Sequence, residues 1–178
     1  ESMPGETRVA ATPDTVKKFV AFGCNVSVER GAGMASGYLD AAYAEQGAEL
    51  INPGDPAVWS QADILLCVQT PASASLSRLQ RGALVVGLLS PYANGELAAS
   101  LKQCGLSAMA LELLPRISRA QPADALSSQA NIAGYKSVLL ASAALDRYFP
   151  MLMTAAGTVQ PAKVVILGAG VAGLQAVA

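Results

Sequence analysis

The sequence contains no histidine. That removes the side chain whose charge ordinarily changes near neutral pH, and with it the commonest proton carrier and nitrogen ligand of zinc. Only three cysteines occur, Cys24, Cys67 and Cys104. Their wide spacing excludes a metal knuckle, so no metal centre is expected, and they read as buried thiols of a reducing compartment. Charge is scarce as well: charged residues are 14% of the chain and the formal net charge is -1. Without a basic stripe, nucleic acid is excluded as a partner. No apolar run reaches the length of about 18 residues that a membrane-spanning helix needs. The mean hydropathy of +0.38 therefore reflects alanine and buried parallel strands. The nearest candidate span, residues 164–174, is short and rich in glycine. No charged leader followed by an apolar core opens the chain, so no signal peptide is expected.

What is present is a regular alternation of short elements. Thr12 predicts a helix N-cap with Pro13 at the first helical position. Val16, Phe19 and Val20 share one face of that helix, and Gly23 ends it. Residues 25–30 (NVSVER) alternate like a strand, then come Gly31-Ala32-Gly33 and a short helix over 40–46 that Gly47 stops. The pattern repeats, with strands near 48–51, 63–68, 83–89 and 107–111. Helices fall near 56–61, near 75–79, and from Asn94 or Gly95 to Cys104, where Gly105 closes the last. Continuously apolar strands separated by helices predict an α/β fold with a doubly wound parallel sheet. Residues 127–149 contain no proline and only Gly134 as a breaker, which predicts a helix of some twenty residues, about 30 Å long. Residues 163–167 predict the first strand of a second α/β domain. The expected organisation is an N-terminal domain over 1–126, a helix and linker over 127–161, and the start of a second domain over 162–178.

Two stretches carry chemistry. Residues 116–135, RISRAQPADALSSQANIAGY, form a polar island in a chain that is 52% hydrophobic. Residues 163–173, KVVILGAGVAG, run an apolar strand into Gly168-Ala169-Gly170-Val171-Ala172-Gly173. Glycines at this spacing permit a tight turn, close approach of the backbone to a pyrophosphate, and close packing of the following helix. The acidic residue that would grip a ribose falls about twenty positions on, past Ala178, so the turn alone does not choose between NAD and NADP. Gly31-Ala32-Gly33 is a decoy of the same kind, because Ser36 stands where a third glycine would be needed. In the island, Gln121, Asp124 and Ser127 lie one turn apart if the segment is helical, and so point the same way. A glutamine amide suits a nicotinamide carboxamide or ribose hydroxyl, and an aspartate can accept from hydroxyls or pair with Arg116. Helix capping by Asp124 or Ser127 beside a solvated loop is the competing reading. Arg8 holds an anionic substrate or pairs with Glu6, the second being favoured. An alcohol or amine dehydrogenase moves a proton with its hydride and usually keeps a histidine or lysine for it. Here Lys17, Lys18, Lys102, Lys136 and Lys163 offer no candidate in the apparent loops of the first domain. Hydride exchange between two nicotinamide rings needs no proton shuttle.

Five blocks, GETRVAATP at 5–13, VERGAG at 28–33, PRISRAQ and DALSSQANIAGY within 115–135, TAAGTVQPAKV at 154–164 and GAGVAGLQA at 168–176, span the chain in order. They closely resemble the NAD-binding component of the proton-translocating nicotinamide nucleotide transhydrogenases. The resemblance implies a Rossmann-like domain followed by the start of a Rossmann NAD-binding domain. It implies an extramembranous, dimeric component that binds NAD(H) and passes hydride to NADP(H) on a partner domain, coupled to proton movement through a membrane domain. It would lie in the cytoplasm or mitochondrial matrix, peripheral to the membrane through those partners. Arg116, Gln121, Asp124, Ala125 and Ser127 would line the nicotinamide end of the site, with Gln121 and Asp124 positioning the reacting ring. Gly168, Gly170 and Gly173 would form the pyrophosphate turn, Val171 and Ala172 adding backbone contacts. Alanine dehydrogenases are the similar, competing group. They carry a substrate lysine in a stretch resembling residues 67–71 and a histidine in one resembling 89–91, where this chain has Gln69 and Ser90. A further alternative is a module that keeps the first domain's fold and binds no nucleotide. The family's opening Pro-x-Glu-like segment is expected to correspond to Glu1.

Overall fold

The computed structural model describes residues 5–178; Glu1 lies outside the described residues. The chain packs as two units, one up to Leu114 and one from Pro115 to Ala178, so the whole polar island goes with the second. The first unit has the mixed α/β, Rossmann-like architecture that the alternation predicts. Helix α1 (Pro13–Ala21) starts where the local chemistry places it: Thr12 Oγ1 accepts the Thr15 N–H at 3.3 Å and proline occupies the first turn. Gly23 follows at φ 86°, a left-handed conformation that only glycine adopts without cost. Strand β1 (Ser27–Glu29), helix α2 (Asp40–Glu45) and strand β2 (Glu49–Ile51) come next, with β1 and β2 parallel.

Helix α3 (Pro56–Trp59), β3 (Ile64–Gln69), α4 (Ser73–Leu76), β4 (Leu84–Leu88), α5 (Gly95–Cys104) and β5 (Ser107–Ala110) complete the alternation. The last three strands form a parallel sheet in the order β3-β4-β5. Among the described residues these strands thus pair as two parallel sheets instead of one continuous ladder, the three-residue strands β1 and β2 bonding to each other. Leu76, Leu79, Ala83, Val85, Leu89 and Leu97 make the main core around β4. A smaller cluster joins Val16 of α1, Tyr43 of α2 and Ala48. Inside the larger sheet the β3–β4 register shifts between Leu66 and Gln69. Gly87 faces that irregularity: a Cβ there would sit 2.3 Å from the Cys67 carbonyl oxygen.

The second unit opens with a 3-10 turn, Ser118–Ala123, and continues as α6 (Ala125–Ala144). The helix is shorter than the 127–149 expected at its far end: the chain turns extended at Leu145, and Pro150 disfavours helical geometry in the residue before it. A hairpin that the sequence reading did not foresee follows, β6 (Leu152–Thr154) antiparallel to β7 (Gly157–Val159). Thr154 Oγ1 ties its turn, accepting from the Ala156 N–H at 3.2 Å and donating to the Gly157 carbonyl at 3.1 Å. Residues 163–167, expected as a strand, have no ladder partner among the described residues. Apolar composition favours extended chain, but a strand exists only where a neighbour accepts its hydrogen bonds. Helix α7 (Val171–Val177) then packs on α6.

Candidate functional site

The glycine turn in front of α7 has the backbone its sequence demands. Gly168 sits at φ +117°, a region closed to other residues. A Cβ on Gly173 would lie 2.0 Å from the Gly168 carbonyl oxygen, so the third glycine lets the turn close on itself. On Gly170 a Cβ would meet no atom within 4 Å. The space beside Gly170 is therefore open. The Leu174 N–H bonds to the Gly170 carbonyl at 2.9 Å as the first bond of α7. The N–H groups of Val171, Ala172 and Gly173 precede it and have no intrahelical acceptor.

In the polar island, Gln121 lies in the 3-10 turn and Asp124 is the N-cap of α6. Ala125 is the first residue of α6, and Ser127 is in its first turn. The three side chains imagined on one helical face are thus split between a tighter turn, a non-helical cap and a helix. Asp124 Oδ1 accepts the Ser127 N–H at 2.9 Å, and Oδ2 accepts from Ser127 Oγ at 2.6 Å. These bonds, the Ser127 hydroxyl first, hold the Asp124 carboxyl below the usual carboxylate range, with the charge of Arg116 adding to them. Capping is realised, then, and it leaves an acceptor ionised at neutral pH: a carboxylate has about four lone-pair sites, so a ribose hydroxyl could still be bound. Gln121 and Arg116 are exposed. Among the described residues the Gln121 amide has no hydrogen-bond partner.

A second constellation lies in the first unit, at the carboxyl ends of β3 and β4, the position where open α/β sheets place ligands. A cavity of about 420 Å³ is lined there by Arg8, Gln69, Thr70, Leu88, Leu89, Ser90 and Asn94. Glu6 underlies it with a side chain only 4% exposed. Its Oε2 takes Arg8 Nη2 at 2.7 Å and Gln69 Nε2 at 2.5 Å, and its Oε1 takes Arg8 Nε at 2.8 Å. Arg8 thus pairs with Glu6, as the sequence favoured. The guanidinium bonds foremost, and the Gln69 amide after them, hold Glu6 far below the usual carboxylate range against the opposing effect of burial. Ser90 stands at φ 49°, and its N–H donates to the Glu112 carboxylate. Gln69 and Ser90 thus face one cavity with Arg8, whose charge is matched by Glu6, and no lysine or histidine lines it. The cavity has no group suited to shuttling a proton at neutral pH.

Gly31-Ala32-Gly33 is engaged internally. The Gly31 N–H donates to Asp40 Oδ1 at 2.8 Å, and a Cβ on Gly33 would lie 2.6 Å from the Tyr43 ring. Sequence reasoning passed over Gly134 as a mere breaker, and Thr70 and Asn94 as cavity residues. Gly134 did leave a signal, since a lone glycine inside a helical pattern usually has a packing reason.

Residues 1–133 match the family described as alanine dehydrogenase/PNT, N-terminal domain, and residues 137–178 match its C-terminal domain. The NAD(P) transhydrogenase subunit alpha of Cereibacter sphaeroides is 45% identical over 99% of this chain and 34% of its own length. A crystal structure of transhydrogenase from Sinorhizobium meliloti superposes with a TM-score of 0.92 at 46% identity, covering 99% of this chain and 52% of that one. An L-alanine dehydrogenase structure gives a TM-score of 0.83 at 31% identity, covering 99% of this chain and 49% of that one. The chain therefore spans between a third and about half of the relatives it matches.

Proposed function

This chain belongs to the alanine dehydrogenase/PNT family, and from that premise we propose that it is the NAD(H)-binding component of a proton-translocating transhydrogenase. NAD(H), when bound, supplies or accepts the hydride. The protein's task is to hold one nicotinamide ring against another, so positioning and exclusion of water supply the catalysis. Gln121 holds the carboxamide of the ring, Asp124 accepts from ribose hydroxyls, and Arg116, Ala125 and Ser127 complete that end. Gly168, Gly170 and Gly173 shape the pyrophosphate turn, and the N–H groups of Val171 and Ala172 donate to the phosphates. NADP(H) sits on a partner domain, a membrane domain carries the protons, and the component works as a homodimer on the cytoplasmic or matrix face. No helix among the described residues is long and apolar enough to cross a membrane.

The observation that carries this reading is the glycine turn, with positive φ at Gly168 and open space at Gly170. Against amino-acid oxidation stands the Arg8, Gln69 and Ser90 cavity, with its cation already paired and no proton carrier. NADH titrated into the purified protein and followed by its fluorescence tests the proposal: saturable binding is expected. Absence of binding by the full-length polypeptide would leave only a non-catalytic module. Alanine with NAD should give no pyruvate, and measurable pyruvate would restore the dehydrogenase reading.

A further inference from the structure

We propose that Gly134 is a positioning residue that seats the dinucleotide turn on α6, an inference that rests on the NAD(H) site proposed above. Gly134 is the buried residue of α6, ten positions past the Asp124 cap. A Cβ at Gly134 would stand 2.2 Å from the Ala172 carbonyl oxygen, 2.9 Å from its carbon and 3.0 Å from its Cα. All three are backbone atoms, so no rotamer change relieves the clash; α7 and the turn before it would have to move. One helical turn earlier Asn131 Nδ2 donates to Gln175 Oε1 at 2.7 Å, a bond across the same pair of helices. Ala172 lies inside the Gly168–Gly173 motif, so what touches Gly134 is the motif's own backbone.

Glycine weakens a helix interior through its conformational freedom, and this close approach is what makes it fit here. The consequence is geometric. Asp124 and Gly134 are separated by about 15 Å along one helix axis, and that single rigid element carries the ribose-binding cap at one end and seats the pyrophosphate turn further along. A side chain at position 134 would displace the phosphate-facing N–H groups from the cap without altering any residue that touches the nucleotide.

The test compares the full chain with its Gly134→Ala form, titrating NADH and ADP-ribose by calorimetry so that affinity and stoichiometry are read separately. ADP-ribose keeps the pyrophosphate and lacks the nicotinamide. Gly134→Ala should raise both dissociation constants by the same factor, about tenfold or more, with stoichiometry unchanged and the phosphorus NMR resonances of the bound pyrophosphate shifted. Unchanged affinity at reduced stoichiometry would mean that Gly134 serves folding alone, and a loss confined to NADH would place its effect at the ring; either overturns the proposal. Should Gly134→Ala not fold, Asn131→Ala and Gln175→Ala loosen the same helix pair without added volume. Each should weaken both ligands, and the double variant no more than either alone; unaltered affinity in all three overturns it. If the unaltered chain binds neither ligand, the underlying NAD(H) reading fails, an outcome distinct from equal binding by both forms.

Discussion

Glu6 carries a charge that its neighbours make hard to remove. Arg8 and Gln69 donate to both of its oxygens, and its pKa lies well under the ordinary 4.5. As the pH falls, the unfolded chain takes up this proton first. The stabilisation is therefore complete above the unfolded value and drains away as the pH drops through about 4 toward the folded value. Glu6→Gln should be less stable than the parent at neutral pH, with the gap narrowing in acid. Urea unfolding followed through Trp59, the only tryptophan, measures this; parallel stability curves from pH 7 to the acid limb would rule out the assigned role. The same three residues leave the cavity beside them with its arginine already ion-paired.

At the scale of elements, two helices and one strand owe their positions to glycines that admit a neighbour's backbone. Gly87 lets β4 lie against the irregular stretch of β3, where the ladder slips between Leu66 and Gln69. Strand glycines commonly mark such irregularities. Gly87→Ala should destabilise the first unit by about 1–3 kcal/mol, the range for overpacking, in the same urea experiment. Because Gln69 ends β3, its bond to Glu6 should weaken as well, so the variant should lose part of the parent's acid sensitivity. A neutral effect on stability would show that β3 relaxes freely. Gly134 and Gly173 do the corresponding work around α7.

For the whole molecule, the lack of histidine sets an expectation for binding. Asp124 is held ionised, so the proposed site contains no group that ordinarily titrates near neutrality. NADH affinity should change by less than about twofold between pH 6 and pH 8; a step near pH 6.5 or 7 would point to an ionising group that this account lacks. The second unit also leaves apolar side chains exposed around α6, Ile132 and Leu140 at 59% each, and Leu167 beyond it at 95%. A helix that is apolar on several sides is ordinarily covered on several sides.

Whatever depends on a few adjacent residues was legible before any fold was known. Thr12-Pro13 starts α1, Gly23 follows its end, the apolar runs of the first unit become parallel strands, and Gly168 with its positive φ sits where the motif requires it, because caps, turns and side-chain alternation act over a handful of bonds. The competing roles of Asp124 were legible as well, and it does cap α6. Which distant residues meet is settled by packing in three dimensions. Gln69 reaches Glu6 across 63 positions, Ser90 joins Arg8 at one cavity, and Gly134 lies under Ala172. The hairpin at β6–β7 was likewise outside local reach. Such contacts are set by how whole elements pack and by which neighbour supplies a hydrogen bond, and no pattern within a short window of sequence encodes that choice.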